Sequence, residues 1–191
     1  LLHELGHSIV AQSFGIRVLD ITFWPLGGMA RMSQIPENSR IEGLIAIAGP
    51  AVNFVLAGAS LTFLLLPGIA GSAVGDLALV FLLFNVALGG FNLIPAFPMD
   101  GGRVLRAILG RKGDWVRATE GAVRVGRFFA LLMFLSFFVT WNPVLPLIAL
   151  FVWWTGQQEL LAVRLRHATA GFGPFGPFGA FGNFAGGPAR P

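Results

Sequence analysis

The sequence predicts an all-α polytopic membrane protein, a bundle of about five transmembrane segments with the first one truncated and room for a short re-entrant β-hairpin. Three observations carry that prediction. Hydrophobic residues fill 55% of the 191 positions and charged residues only 12%, where a soluble domain carries about 25%; the mean hydropathy is +0.75. Apolar runs close to the ~20 residues that cross a bilayer alternate with Pro and Gly breaks. Basic residues gather in the loops between runs, so the net charge of +4 reads as membrane orientation and not as a nucleic-acid footprint. There is no Cys, which excludes disulfides, thiolate metal ligands and a Cys nucleophile.

The elements follow in order. Leu1 to Phe14 is too short to span and is expected to be the second half of a membrane helix. Leu19 to Met32 is too short to span; alternation around Ile21 and Phe23, then Pro25 and Gly27-Gly28, reads either as a strand and turn of a re-entrant hairpin or as a surface loop. A strand edge there would offer a substrate segment a pairing partner. Ile41 to Leu66 spans, with no charge after Glu42 and small residues at Gly43, Gly49, Ala51, Ala57, Gly58 and Ala59 that place it mid-bundle. Pro67-Gly68 ends it. Leu77 to Ile94 is the next span, broken by Pro95 and Pro98 ahead of Asp100. Ala122 to Thr140 and Val144 to Val163 complete the set, joined at Trp141-Asn142-Pro143, with Trp141, Trp153 and Trp154 suited to an interface.

Between Gly102 and the fourth span lie Arg103, Arg106, Arg111, Lys112, Arg117, Arg124 and Arg127 against Asp114 and Glu120, which predicts a cytoplasmic loop. Counting spans outward from it places His3, His7 and Asp100 in the cytoplasmic half of the bilayer. Absence of Cys and of an organellar signal points to a prokaryotic plasma membrane.

The opening His3-Glu4-Leu5-Gly6-His7 carries chemistry. On a helix the two His are i and i+4, so both imidazoles leave one face about a turn apart and can share a tetrahedral ion. Two His with a carboxylate as third ligand leave a fourth position for water, and Glu4 is at hand to take its proton. Intramembrane ionisable groups are costly and functional by default, and Asp100, in a Pro-broken and Gly-flanked helix end, is the carboxylate with the best context. Asp100 also suits the N-cap of a helix running through Arg103 to Leu109. The donor set implies Zn2+. Glu159 with Gln157-Gln158 reads as interfacial or bundle-facing, and His167 as solvent-exposed.

HELGH on one membrane helix, AGPAVNF on the next and NLIPAFPMDGGR closing the third resemble the site-2 protease family of intramembrane zinc metalloproteases, in its bacterial and archaeal branch. The resemblance covers most of the chain. It implies a zinc site of His3, His7 and Asp100, with Glu4 as catalytic base, and polar groups facing the site at Asn92 and Asn53, either of which would donate to an oxyanion. Asn53 is equally suited to hold two helices together. On this reading residues 1–167 form a membrane-embedded metalloprotease domain with a catalytic core at 1–110. It would hydrolyse a peptide bond in or beside a transmembrane segment of another protein, as in regulated intramembrane proteolysis. The alternatives are a membrane zincin acting on non-transmembrane substrates, with Glu120 or Glu159 as third ligand, and a non-proteolytic metal-binding scaffold or transporter with broken helices. The partners implied are a transmembrane protein substrate and the lipid bilayer. Family members have a complete first catalytic helix, and several carry a pair of CBS domains after the last span. Here the sequence runs into GFGPFGPFGAFGNFAGGPARP, so 168–191 is predicted to be a disordered tail.

Overall fold

The structure, a computed structural model, describes residues 1–24, 27–32 and 37–170. The Gly/Pro/Phe-rich stretch from 171 onward, and the turn expected at Pro25, lie outside the described residues. The elements in order are α1 (Leu2–Ser13), β1 (Val18–Trp24), β2 (Gly27–Met32), α2 (Ser39–Leu64), α3 (Ala73–Asn92), α4 (Asp100–Leu109), α5 (Trp115–Thr140) and α6 (Val144–Ala170). A 3-10 turn, Gly110–Lys112, joins α4 to α5.

Caps set the helix starts where composition alone leaves them vague. Asn38 accepts from the Arg40 and Ile41 amides at 2.9 and 3.2 Å, and Ser72 accepts from Gly75 N at 3.1 Å. Asp114 accepts from Arg117 N at 2.9 Å, so α5 begins a full turn and more before the apolar run expected from Ala122. At its other end Trp141 takes a left-handed conformation, φ 51°, and Asn142 Oδ1 accepts from Val144 N at 3.0 Å to start α6. The hairpin reading of Leu19 to Met32 holds at the level of the backbone: β1 and β2 pair antiparallel from Trp24↔Gly27 to Val18↔Met32, with an irregularity between Val18 and Asp20.

Among the described residues, α2, α3 and α5 are long and apolar enough to cross a membrane, and the chain is an integral membrane protein. The fifth expected segment, α6, is a 27-residue helix whose apolar run is cut by Gln157, Gln158 and Glu159. α1 has 12 residues, fewer than a span needs.

α2 is the hub, packing against α1, α3 and α4, while α5 pairs with α6 and with α4. Its buried stripe, Ala46, Gly49, Pro50, Asn53 and Ala57, recurs at helical spacing. Small residues make this possible: a Cβ on Gly6 of α1 would meet the Ala48 carbonyl oxygen and Val52 Cγ2 of α2, both at 2.8 Å.

Candidate metal centre

α1 presents His3 and His7 one turn apart toward α2 and the start of α4. Their Nε2 atoms are 3.1 Å apart. The Asp100 Oδ2 atom lies 3.1 Å from His3 Nε2 and 3.2 Å from His7 Nε2, so residues 97 apart in sequence close a nearly equilateral triangle. Zinc bonded at about 2.0–2.1 Å in tetrahedral geometry holds its ligand atoms about 3.3 Å apart. The three donors therefore fit one ion.

Each donor is aimed by a neighbour. His7 Nδ1 lies 2.7 Å from the Ile45 carbonyl oxygen of α2; an acceptor there requires a proton on Nδ1, which leaves the Nε2 lone pair free to bind a metal. Pro50, just beyond, lacks the N–H that would close the Ala46 carbonyl's helical bond. His3 Nδ1 contacts the Asn53 side-chain amide at 3.1 Å. Gly49 lets α2 lie against the pair, since a Cβ there would collide with His7 Nε2 and approach His3 Nε2 at 2.7 Å. Asp100 arrives because the chain doubles back: Cβ atoms on Gly101 or Gly102 would run into the backbone of Leu93, Ile94 and Ala96, and only Gly-Gly permits that fold.

Asp100 is the first residue of α4 and not its cap; Met99 holds the N-cap position without a side-chain bond. The carboxylate is turned to the imidazoles instead. Glu4 is half-buried on α1 beside the pair. Asn92, expected to face the site as an oxyanion donor, donates from its amide to the Leu88 carbonyl at 3.0 Å, the back-bond a helical Asn makes to its own preceding turn. Asn53 likewise contacts His3, so its geometry is that of a residue orienting a ligand. His167 is exposed, as expected, and its Nε2 lies 3.0 Å from the exposed Glu37 carboxylate.

The sequence reading missed a second polar cluster one layer away. Arg106 of α4 donates through Nε to both Glu42 carboxylate oxygens, at 3.1 and 3.2 Å, and through a terminal nitrogen to Glu42 again. Its other terminal nitrogen meets Glu159 of α6 at 2.5 Å. Phe97 and Trp115 cover the guanidinium at 5.1 and 5.4 Å. Burial works against the charge, but Glu42 and then Glu159 outweigh it and raise the Arg106 pKa. The usable signal was a carboxylate in each of two largely apolar helices, Glu42 in α2 and Glu159 in α6.

Residues 1–73 and 67–135 match the model of peptidase family M50. The chain belongs to peptidase family M50. This M50 chain is 40% identical over 167 residues to the zinc metalloprotease MJ0392 of Methanocaldococcus jannaschii, covering 86% of the present chain. It is 39% identical over 140 residues, 70% of its length, to Rip3 of Mycobacterium tuberculosis. It spans 48% of MJ0392 and 35% of Rip3. A solved structure, the site-2 protease from Methanocaldococcus jannaschii, superposes with a TM-score of 0.61 at 41% identity over 83% of this chain and 72% of that one. The resemblance drawn from HELGH, AGPAVNF and the Asp100 segment is thereby shown at the level of family and fold.

Proposed function

We propose that this M50 chain is the catalytic core of a zinc metalloprotease that hydrolyses a peptide bond within or next to a transmembrane segment of a substrate protein. The observation that carries the reading is the convergence of His3, His7 and Asp100 Oδ2 at 3.1–3.2 Å inside an apolar helix bundle. Those three side chains would hold the ion. Zinc bound there supplies a Lewis acid for the scissile carbonyl and lowers the pKa of a water at the open position.

The remaining work falls to the chain. Glu4, one residue from His3 on the same helix, takes the proton from the attacking water and returns it to the leaving amine. The Ile45 carbonyl keeps His7 in the tautomer that binds metal, and Asn53 keeps the His3 ring in plane with the site. Pro95, Pro98 and Gly101-Gly102 unwind the chain so that Asp100 reaches the imidazoles. A substrate helix must also unwind locally, because helical amides are hydrogen-bonded and shielded. The basic loop around α4 favours a site facing the cytoplasm of a prokaryotic plasma membrane, with a membrane-anchored regulator as substrate.

The test is cleavage of a tagged single-span substrate by the purified protein in detergent, wild type against Glu4→Gln. Cleavage inside the span by wild type alone is expected. Equal cleavage by both would remove Glu4 from the mechanism.

A further inference from the structure

α5 and α6 change character at the same level. In α5, Arg117, Glu120, Arg124 and Arg127 all precede Phe128, and residues 128–140 carry no charge. In α6, which returns after a three-residue turn, residues 144–156 are uncharged and Gln157, Gln158 and Glu159 follow. The Arg127 guanidinium lies 5.2 Å over the Trp153 ring, which sets the two boundaries side by side. An aromatic and a cation at such a level mark a membrane interface.

Below that level the helices part around a cavity of about 590 Å³, lined by Ala130, Phe134, Pro146, Leu147, Leu150 and Trp153 among others, all apolar. It runs toward the α5–α6 turn, and Trp141 is 14 residues past Arg127, roughly 20 Å along a helix. That exceeds half of a ~30 Å hydrocarbon core, the reach of one leaflet's acyl chain. A helix 10–12 Å across fills roughly 400–600 Å³ per turn, so the cavity holds no more than about one turn of a passing helix.

Against Trp153, one of the residues that line this cavity, stands a charge without a counter-charge. Arg127 Nε is buried with no hydrogen-bond partner. Among the described residues, the ion pairs of this region use Arg106, Arg117 and Arg164, and neither Arg127 nor Arg124, one turn before it, meets a carboxylate. A buried donor left unmade costs about 1–3 kcal/mol, more when charged. A cation at a membrane interface attracts the anions of that surface. The anion abundant at an interface is the lipid phosphate, which the guanidinium fork matches, and basic clefts between membrane helices take anionic headgroups.

We propose that the α5–α6 cleft binds one anionic phospholipid, its phosphate on Arg127 and Arg124 and an acyl chain in the cavity under Trp153. The site lies apart from the metal centre and does not depend on the proteolytic reading.

The test uses the full-length protein in phosphatidylcholine nanodiscs, titrated with brominated phosphatidylglycerol while tryptophan fluorescence is read. Saturable quenching is expected, with apparent affinity roughly tenfold or more above that for brominated phosphatidylcholine, the worth of a charged hydrogen-bonded contact. Arg127→Gln should remove that preference while Arg127→Lys keeps part of it, thermal unfolding showing each variant folded; should Arg127→Gln fail to fold, Arg124→Gln carries the same expectation of a reduced preference. Trp153→Phe should delete the saturable component. Equal quenching by the two lipids, as expected if a substrate segment or a second copy is the true occupant, overturns the proposal. So do an unchanged preference in the folded Arg-to-Gln variant, quenching that survives Trp153→Phe, and displacement of the lipid by inorganic phosphate alone.

Discussion

The imidazole of His7 is committed at both ends, its Nδ1 to the Ile45 carbonyl and its Nε2 to the triangle with His3 and Asp100. His3 is oriented by a side chain instead of by backbone. The Asn53 amide nitrogen lies 3.1 Å from His3 Nδ1; a metal on His3 Nε2 would leave the proton on Nδ1 and require the amide oxygen there instead, a half-turn of a group whose two ends are nearly the same shape. Asn53→Ala should therefore weaken zinc binding by about 10–100-fold, the usual cost of losing an outer partner of a ligating His, measured by competition with a chromophoric chelator. An unchanged affinity would make Asn53 only a helix-packing residue. Gly49→Ala is expected to be harsher, because its methyl lands on both Nε2 atoms. The purified variant should hold well below one equivalent of zinc by elemental analysis, and a full equivalent would show that α1 and α2 can part.

At the scale of elements, α4 is held at two points six residues apart. Its first residue faces the imidazoles, and Arg106 is locked between Glu42 of α2 and Glu159 of α6. Glu42 lies one turn before Ile45 on α2, so the helix that orients His7 is also the helix that grips α4. The Arg106 and Glu42 side chains are only 8% and 5% exposed, and removing one partner strands the other. Arg106→Met should lower stability by about 3–5 kcal/mol, read as a fall in thermal midpoint in detergent. The double change Arg106→Met with Glu42→Leu should recover most of it, since apolar replacement of a buried pair is often close to neutral; Glu159, 37% exposed, remains hydrated. If the double variant is as unstable as the single, the loss lies in packing against Phe97 and Trp115 and not in the stranded charge.

Across the whole molecule, the candidate metal centre ties α1 to α4 while α2 lies between them. An ion that binds only the folded bundle stabilises it by about 4 kcal/mol when free metal is a thousandfold above its dissociation constant. Chelation should lower the unfolding temperature of the wild type and leave that of His7→Ala unchanged. An equal response in both would put the stabilising ion elsewhere. The bilayer, by contrast, meets α3 and the outer faces of α5 and α6, where Leu77, Phe84, Val139 and Leu147 are largely exposed; in this solvent that is the expected state of an apolar residue.

The sequence by itself determined the solvent, most of the helices and the three side chains that the fold brings together as a candidate metal centre. Composition settles whether a chain lives in lipid, and i, i+4 spacing settles which His share a face, because both are properties of neighbours along the chain. Asp100 was legible as a partner because a carboxylate in a broken apolar helix has few other reasons to be there. What only the tertiary structure decided depends on contacts between distant segments: the Ile45 carbonyl on His7, Asn53 turned to His3, Asn92 bonded back to Leu88, and Arg106 joining two Glu from separate helices. A backbone carbonyl has no signature in sequence, and an Asn reads the same whether it faces a substrate, a ligand or its own helix. Which of these it does is fixed by packing, through the close approach that Gly6 and Gly49 allow.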